Sequence, residues 1–304
     1  ITAVGVPFLG LIAMSLYDGD YKSFFSRLGT KTGFIVSLLI MGLIGPFGAL
    51  PRCIALSHAT TQFFFPGISI ELFSLIAVLI IFALTIKRNN IIDILGYFLT
   101  PFLLLMLAII TFKGLLISPG SLESAHDPLK TFITGLAEGY QTMDLPGAFF
   151  FSSVVILGLK KDLTASEQGN HRKILSLFFK SSLIGALLLG MTYVGFSFVS
   201  AMHSSELQSV QNDQLIAQIA LHVLGPYAGI VACAAVALAC LTTAIALAAV
   251  TAEFIHVDIS NNRISYPIAL IATLIVSYFV STLNFSGIAN MVTPALKLLY
   301  PSLI

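Results

Sequence analysis

Residues 131–159 read TFITGLAEGYQTMDLPGAFFFSSVVILGL. Both ends are apolar enough to enter a membrane, but residues 138–147 include two acids, a Gln, a Thr, a Pro and two Gly. A lipid-facing helix does not tolerate such a centre, because polar groups in hydrocarbon need protein or water partners. The pattern therefore predicts two half-helices and an unwound segment that lines a cavity. The alternative is an external loop followed by a short helix.

The whole chain has the composition of a membrane protein. Apolar residues make up 57% of the 304 positions and charged residues 10%, whereas a soluble domain carries about 25% charged residues. Because a spanning helix needs about 20 apolar residues, we predict an all-α polytopic protein. The chain begins and ends inside apolar sequence, so we expect a fragment that is truncated at both ends. The nine predicted helices or parts of helices are 1–17, 32–62, 70–86, 91–118, 131–159, 174–202, 226–256, 264–282 and 287–304.

The loops predict an orientation in the membrane. If the segments alternate in direction, loops 18–31, 87–90, 160–173 and 257–263 share one side. Together with Lys180 they hold eleven of the fifteen Lys and Arg. The positive-inside rule places this side in the cytoplasm. The net charge of +1 gives no reason to expect a nucleic-acid partner.

A second predicted span is interrupted at residues 45–52, which read GPFGALPR. Pro46 and Pro51 each remove a backbone donor, so they disturb a helix. The charge of Arg52 lies beside the break, at a depth where it must be paired or wet. We interpret these three residues as part of a permeation pathway. The alternative is a kinked helix whose Arg extends to the membrane surface.

A third polar site lies in the Ala-rich span 226–256. The side chains of Thr242 and Thr243 can bond the backbone carbonyls one turn back, which is the simpler interpretation. Alternatively, the two hydroxyls and the Ala239 carbonyl ligate a hard cation, and sodium fits because it takes oxygen ligands.

A Thr-Pro pair occurs twice, as Thr100-Pro101 and as Thr293-Pro294. Repeated interruptions in corresponding helices indicate internal repeats. The sequence has no phosphate-binding loop, no dinucleotide Gly pattern and no HExxH motif. We therefore predict that the protein is not an enzyme and uses no cofactor other than a coupling ion.

Four motifs, in this order and spacing, resemble those of the bacterial branched-chain amino acid carriers, the branched-chain amino acid:cation symporter family. They are GPxxxxPR at 45–52, EGYxTMD at 138–144, ACLxT at 239–243 and AEF at 252–254. The resemblance runs from residue 1 to about 304. It implies import of leucine, isoleucine and valine across the bacterial inner membrane, coupled to sodium by alternating access.

The resemblance also implies a fold and a set of site residues. The fold is an inverted-repeat, leucine-transporter-like bundle within a single transmembrane domain. Residues 1–118 form the remainder of the first repeat, which lacks its first helix, and residues 131–304 form the second, cut off in its last helix. Proton coupling through Asp144, a channel and a truncated non-transporting membrane protein are the alternatives. The expected residues are Glu138, Gly139, Tyr140, Thr142, Asp144 and Phe149 for substrate, Pro46, Pro51 and Arg52 for the pathway, and Ala239, Thr242 and Thr243 for sodium.

Overall fold

The protein is described by a computed structural model that covers residues 2–86, 91–117, 127–161, 163, 171–207, 210–211 and 213–303. Of residues 91–100, 157, 161, 205 and 206 only the backbone is described. Every regular element in these ranges is a helix. This confirms the all-α prediction at the level of secondary structure.

The helices are numbered in chain order. A 3-10 turn, Gly139–Thr142, lies between the seventh and eighth helices, and a π-helical turn, Ile255–Ile259, follows the twelfth. The α-helices are α1 Gly5–Ser15, α2 Tyr21–Ser26, α3 Thr30–Ile44, α4 Ala49–Gln62, α5 Ile70–Ile86, α6 Ile91–Leu116, α7 Pro128–Glu138, α8 Asp144–Lys161, α9 His171–Met202, α10 Ser204–Leu207, α11 Leu215–Leu224, α12 Pro226–Phe254, α13 Tyr266–Ser281 and α14 Asn284–Leu303.

Several helices are long and apolar enough to cross a membrane. Four such spans occur among the described residues: Thr30–Gln62, Pro128–Lys160, His171–Met202 and Pro226–Ile259. A fifth is added if α13 and α14, which are bent by 109° at their junction, count as one broken span. Shorter apolar helices such as α1 and α5 accompany them. The protein is therefore a multi-pass membrane protein.

The predicted break in the second span is confirmed. Helix α3 ends at Ile44 and α4 begins at Ala49, with a turn between them. The buried Pro46 lies in this turn, where it has no N–H to donate. Pro51 instead lies in the first turn of α4, where the helix leaves its N–H groups without carbonyl partners and a proline is tolerated. The interruption is therefore shorter than the stretch 45–52.

The two Thr-Pro pairs do not interrupt their helices. Pro101 lies inside α6 and Pro294 inside α14, and both helices continue past the proline. The expectation of a repeated interruption was therefore wrong for these pairs. A proline inside a helix removes one hydrogen bond and favours a kink, but it ends the helix only where the neighbouring residues also leave the helical conformation. The side chain of Thr100 lies outside the described residues.

The chain divides into two compact units. The first comprises Ile1–Met41, Ser124–Met191 and Thr293–Ile304. In this unit α1 packs on α8. Gly10 permits this packing, because a Cβ at Gly10 would lie 2.6 Å from the Leu145 side chain.

The second unit comprises Gly42–Glu123 and Thr192–Val292. Its central helix is α12, which packs against α4, α5, α6, α11 and α13. Small buried side chains on α12, including Ala232, Ala235 and Ala248, let the neighbouring backbones approach closely. Helix α11 packs through Ile219 and Val223 in the same core.

The predicted orientation can be tested by cysteine labelling. Ser23 in α2 and Lys130 at the start of α7 are exposed, and the sequence analysis predicts that they face opposite sides of the membrane. In a variant whose three natural cysteines are replaced by alanine, a membrane-impermeant maleimide added to intact cells is expected to label Lys130→Cys. Ser23→Cys should react only after the membrane is permeabilised. The reverse pattern would overturn the orientation.

Candidate functional site

The span Pro128–Lys160 contains the predicted interruption. Helix α7 is capped by Asp127, whose side chain accepts a hydrogen bond from the Leu129 N–H. It passes into the 3-10 turn, which ends at Met143 in the left-handed conformation, with φ 58° and ψ 20°. Helix α8 then begins at Asp144. The non-α backbone of residues 139–143 therefore confirms the break in this span.

The start of α8 presents backbone donors beside this break. The Gly147 N–H donates to the Met143 carbonyl at 3.1 Å, which closes the first turn of the helix. The N–H groups in the first turn of α8 point toward the break. Pro146 has no N–H to satisfy. A helix N-terminus of this kind carries partial positive charge, which suits a carboxylate.

The chain before α1 contacts the interruption closely. The Thr2 hydroxyl donates to the Leu136 carbonyl at 2.9 Å, near the end of α7. A Cβ at Gly139 would overlap the Thr2 side chain and would lie 3.2 Å from the Ala3 nitrogen. Glycine at position 139 is therefore required by this approach, whatever its role in substrate binding.

The second half of α14 also contacts the interruption. The Gln141 side-chain amide donates to the Thr293 hydroxyl. The rings of Tyr140 and Tyr300 lie with their centroids 4.6 Å apart, and Tyr300 is fully buried. Thr293 and Tyr300 thus fix two side chains of the 3-10 turn from one helix.

The sequence analysis did not include Thr2, Gln141, Thr293 or Tyr300 among the site residues. Gln141 carried a usable signal, since an amide in an apolar span needs a partner. Thr293 was noted only for its Thr-Pro pair. Thr2 and Tyr300 carry no comparable signal, because a single hydroxyl or a tyrosine near a chain end is common.

The six predicted substrate residues differ in exposure. Tyr140, Thr142 and Asp144 are half-buried, whereas Glu138 is exposed. Phe149 lies more than one turn into α8 and is 1% exposed. Its ring packs against those of Phe24 and Phe25, with centroids 5.3 Å away in both cases. The role of these residues in substrate binding stays a prediction.

Arg52 belongs to the second unit and is buried, with 9% of its surface exposed. Its backbone N–H donates to the Gly48 carbonyl at 3.1 Å, in the first turn of α4. The guanidinium carbon lies 5.1 Å from the centroid of the Phe285 ring, within range of a cation–π interaction. This burial favours the interpretation of a functional or structural Arg over one that extends to the membrane surface.

The predicted cation ligands lie in the continuous helix α12. The hydroxyls of Thr242 and Thr243 donate to the Ala239 carbonyl at 2.8 and 2.9 Å. This is the back-bonded arrangement that the sequence analysis gave as the simpler interpretation. It brings three oxygens together and leaves lone pairs on both hydroxyls. The described residues contain no cluster of three or more His, Cys, Asp or Glu. The three oxygens at Ala239, Thr242 and Thr243 are uncharged.

The protein has apolar spans, two of which are broken, and polar side chains lie beside the breaks. These features define it as a helical multi-pass membrane protein with interrupted spans. Residues 1–304 match the family described as branched-chain amino acid transport protein. The chain belongs to that family, which confirms the resemblance found in the motifs.

Individual relatives agree with this assignment. The chain is 26% identical to the branched-chain amino acid permease BrnQ of Bacillus subtilis over 313 residues, which cover 99% of the chain and 69% of the relative. It is 29% identical to the permease BrnQ of Corynebacterium glutamicum over 306 residues, which cover 100% of the chain and 69% of the relative. No solved structure matches the chain. The family and these relatives are transporters rather than enzymes, as predicted.

The close approach at Gly139 gives a direct test. Gly139→Ala is expected to destabilise the protein by about 1–3 kcal/mol, because the added methyl overlaps Thr2. Gly135→Ala, one helical turn earlier, is the matched control. A Cβ there meets nothing within 4 Å, so the change should be neutral or stabilising by up to about 1 kcal/mol. Thermal unfolding in detergent measures both, and equal melting temperatures would contradict the proposed contact.

Proposed function

We propose that the protein is a secondary active transporter that imports leucine, isoleucine and valine together with sodium. One observation carries this proposal: a chain of the branched-chain amino acid transport family has non-α backbone at residues 139–143, inside an apolar span. Transporters use such broken helices to present backbone groups to substrate near the membrane midplane.

The proposed substrate site uses both sides of the break. The substrate carboxylate would lie at the N-terminal end of α8, where the helix dipole is positive. Its ammonium would donate to carbonyls of residues 139–142 and to a carboxylate of Glu138 or Asp144. Its branched side chain needs an apolar surface, for which we propose Phe149. These assignments follow from the donors and acceptors that a zwitterion requires.

The proposed sodium site is the oxygen cluster of Ala239, Thr242 and Thr243. Hard cations take carbonyl and hydroxyl oxygens as ligands. The distances of 2.8 and 2.9 Å from the hydroxyls to the Ala239 carbonyl support the proposal, because the three oxygens are already close together. A bound sodium would be coordinated by lone pairs of these three oxygens.

The proposed mechanism is alternating access in a bacterial inner membrane, with loops 18–31, 87–90, 160–173 and 257–263 in the cytoplasm. The division of the chain into two compact units supports it, because rocking requires two bodies that each move as a whole. We also propose the inverted-repeat, leucine-transporter-like arrangement, with repeats in residues 1–118 and 131–304. Sodium binding would stabilise one conformation of the bundle, and this would couple the sodium gradient to the uptake of leucine.

The coupling ion is tested by uptake of labelled leucine into proteoliposomes that contain the full-length protein. Uptake is expected to be stimulated by an inward sodium gradient, and choline chloride in place of sodium chloride should abolish the stimulation. A pH gradient without sodium is the discriminating control. Stimulation by the pH gradient alone would replace sodium with a proton. Equal uptake with and without either gradient would exclude symport.

The sodium ligands are tested separately by Thr243→Val. This change keeps the shape of the side chain and removes one proposed ligand. The sodium concentration for half-maximal uptake should rise roughly tenfold, the change expected if about 1.4 kcal/mol of binding free energy is lost. Thr273→Val is the matched control, because the Thr273 hydroxyl also bonds back to a carbonyl, that of Ala269, but is no proposed ligand. An equal sodium dependence in both variants would exclude Thr243.

A further inference from the structure

A cavity of about 360 Å³ lies within the second unit. Its wall is formed by the end of α4, the residues just before α11 and the connection from α13 to α14. None of its lining residues belongs to the proposed substrate, pathway or sodium residues. Small-molecule sites typically have volumes of about 300–1,000 Å³, so the cavity can hold a small solute. The polar side chains in its wall are those of His58, Gln62, Gln211, Asp213, Gln214, Asn284 and Ser286.

Asp213 is the acidic side chain in this wall. It is only 9% exposed, and its Oδ1 atom is buried with no hydrogen-bond partner in the structure. Buried carboxylate oxygens are normally paired, because an unpaired charge at low dielectric is unfavourable. Asp213 lines the cavity with this oxygen unsatisfied, so the wall suits a cationic or donor-bearing ligand.

The neighbouring groups suit a primary ammonium, which has three N–H donors. The Nε2 atom of His58 lies 3.0 Å from the Ile68 carbonyl, so it is the protonated nitrogen, and in a neutral ring Nδ1 is an acceptor. Gln214 is the N-cap of α11 but makes no capping hydrogen bond through its side chain. Its amide, like that of Gln62, offers an oxygen to an ammonium and an NH₂ group to a carboxylate.

The predicted topology places this cavity outside the cell. Its wall includes the α13–α14 connection and residues 211–214, and α4 ends there at Gln62. In the alternating arrangement, the connections after α4, before α12 and after α13 all lie opposite the Lys-rich and Arg-rich loops. A solute that approaches from outside would meet this cavity on the same face.

We propose that the cavity is an external binding site for the ammonium group of an amino acid, with Asp213 as its counter-ion. The proposal rests on the proposed function only for the identity of the solute. Asp213 would pair with the ammonium, and the amides of Gln62 and Gln214 would contact the carboxylate. The site would bind amino acid before the interrupted span does.

A fluorescent reporter can test the proposal in the full-length protein. The 304 residues contain no Trp, and Leu283 lines the cavity with half of its surface exposed. With any Trp outside residues 1–304 replaced by Phe, Leu283→Trp places the reporting indole at the site. Its fluorescence is expected to change saturably with leucine and with isopentylamine, the analogue without a carboxylate. It should not change with 4-methylpentanoate, the analogue without the amine.

In the same reporter protein, Asp213→Asn is expected to weaken the response to isopentylamine at least tenfold. Asp127→Asn is the matched control, because Asp127 is an exposed carboxylate in another predicted external loop and should leave the titration unchanged. An unchanged titration for Asp213→Asn, or an equal response to 4-methylpentanoate, would overturn the proposal. A response to sodium chloride but not to isopentylamine would also overturn it, in favour of a metal-cation site. Absent leucine uptake would contradict the proposed function alone, since the amine titration does not depend on transport.

Discussion

The backbone hydrogen bonds of a membrane span must be satisfied inside the protein, and the rest of this structure depends on that constraint. Hydrocarbon supplies no partner for an N–H or a carbonyl. A helix can therefore be broken only where other protein groups or the water of a cavity satisfy the backbone hydrogen bonds that the helix loses. At residues 139–143 the chain changes to a 3-10 turn, in which bonds to the third residue replace those to the fourth. The break is therefore a change of hydrogen-bond pattern at residues 139–142.

Side-chain hydroxyls donate hydrogen bonds to backbone carbonyls at the break. The Thr142 hydroxyl donates to the Gly139 carbonyl at 3.0 Å, and the Thr2 hydroxyl donates to that of Leu136 at 2.9 Å. Met143 occupies a left-handed conformation that is unfavourable for a residue with a side chain by about 1–2 kcal/mol. Such a conformation persists only where contacts with the surrounding protein hold it in place. The Met143 side chain is 4% exposed, so its packing stabilises the left-handed conformation.

The sequence predicted the long apolar helices and both breaks because these features are local. Hydropathy over about 20 residues marks a span, and clustered Pro, Gly and acids mark an interruption. The difference between prolines is also local in origin. Pro46 lies between Gly45 and Gly48 and falls in a break, whereas Pro101 and Pro294 lie among helix-forming residues and stay inside helices. Composition around a proline predicts a break better than the proline itself does.

The partners of the breaks could not be predicted in the same way. Thr2 and Leu136 are 134 residues apart in sequence, and Gln141 and Thr293 are 152 apart. Their pairing depends on how α1, α7 and α14 pack, which no local pattern specifies. The sequence likewise could not decide between the two interpretations of the Ala239–Thr243 region. The choice depends on the side-chain rotamers, since both Thr side chains can turn toward their own helix or away from it.

The same hydrogen bonds link the shape of the interrupted span to ligand binding. Groups that close the break in the absence of ligand, such as the Thr142 hydroxyl and the Gly139 carbonyl, are those that the proposed substrate would contact. A zwitterion that replaces these bonds changes the relative free energy of the closed and open forms of the turn, and a ligand shifts an equilibrium only through such a difference. Gly139 contacts the residues before α1, and Gln141 contacts the second half of α14, so a change in the turn would be transmitted to these segments of the same unit. In the proposed mechanism the interruption would both bind substrate and move, because one set of backbone groups would serve both purposes.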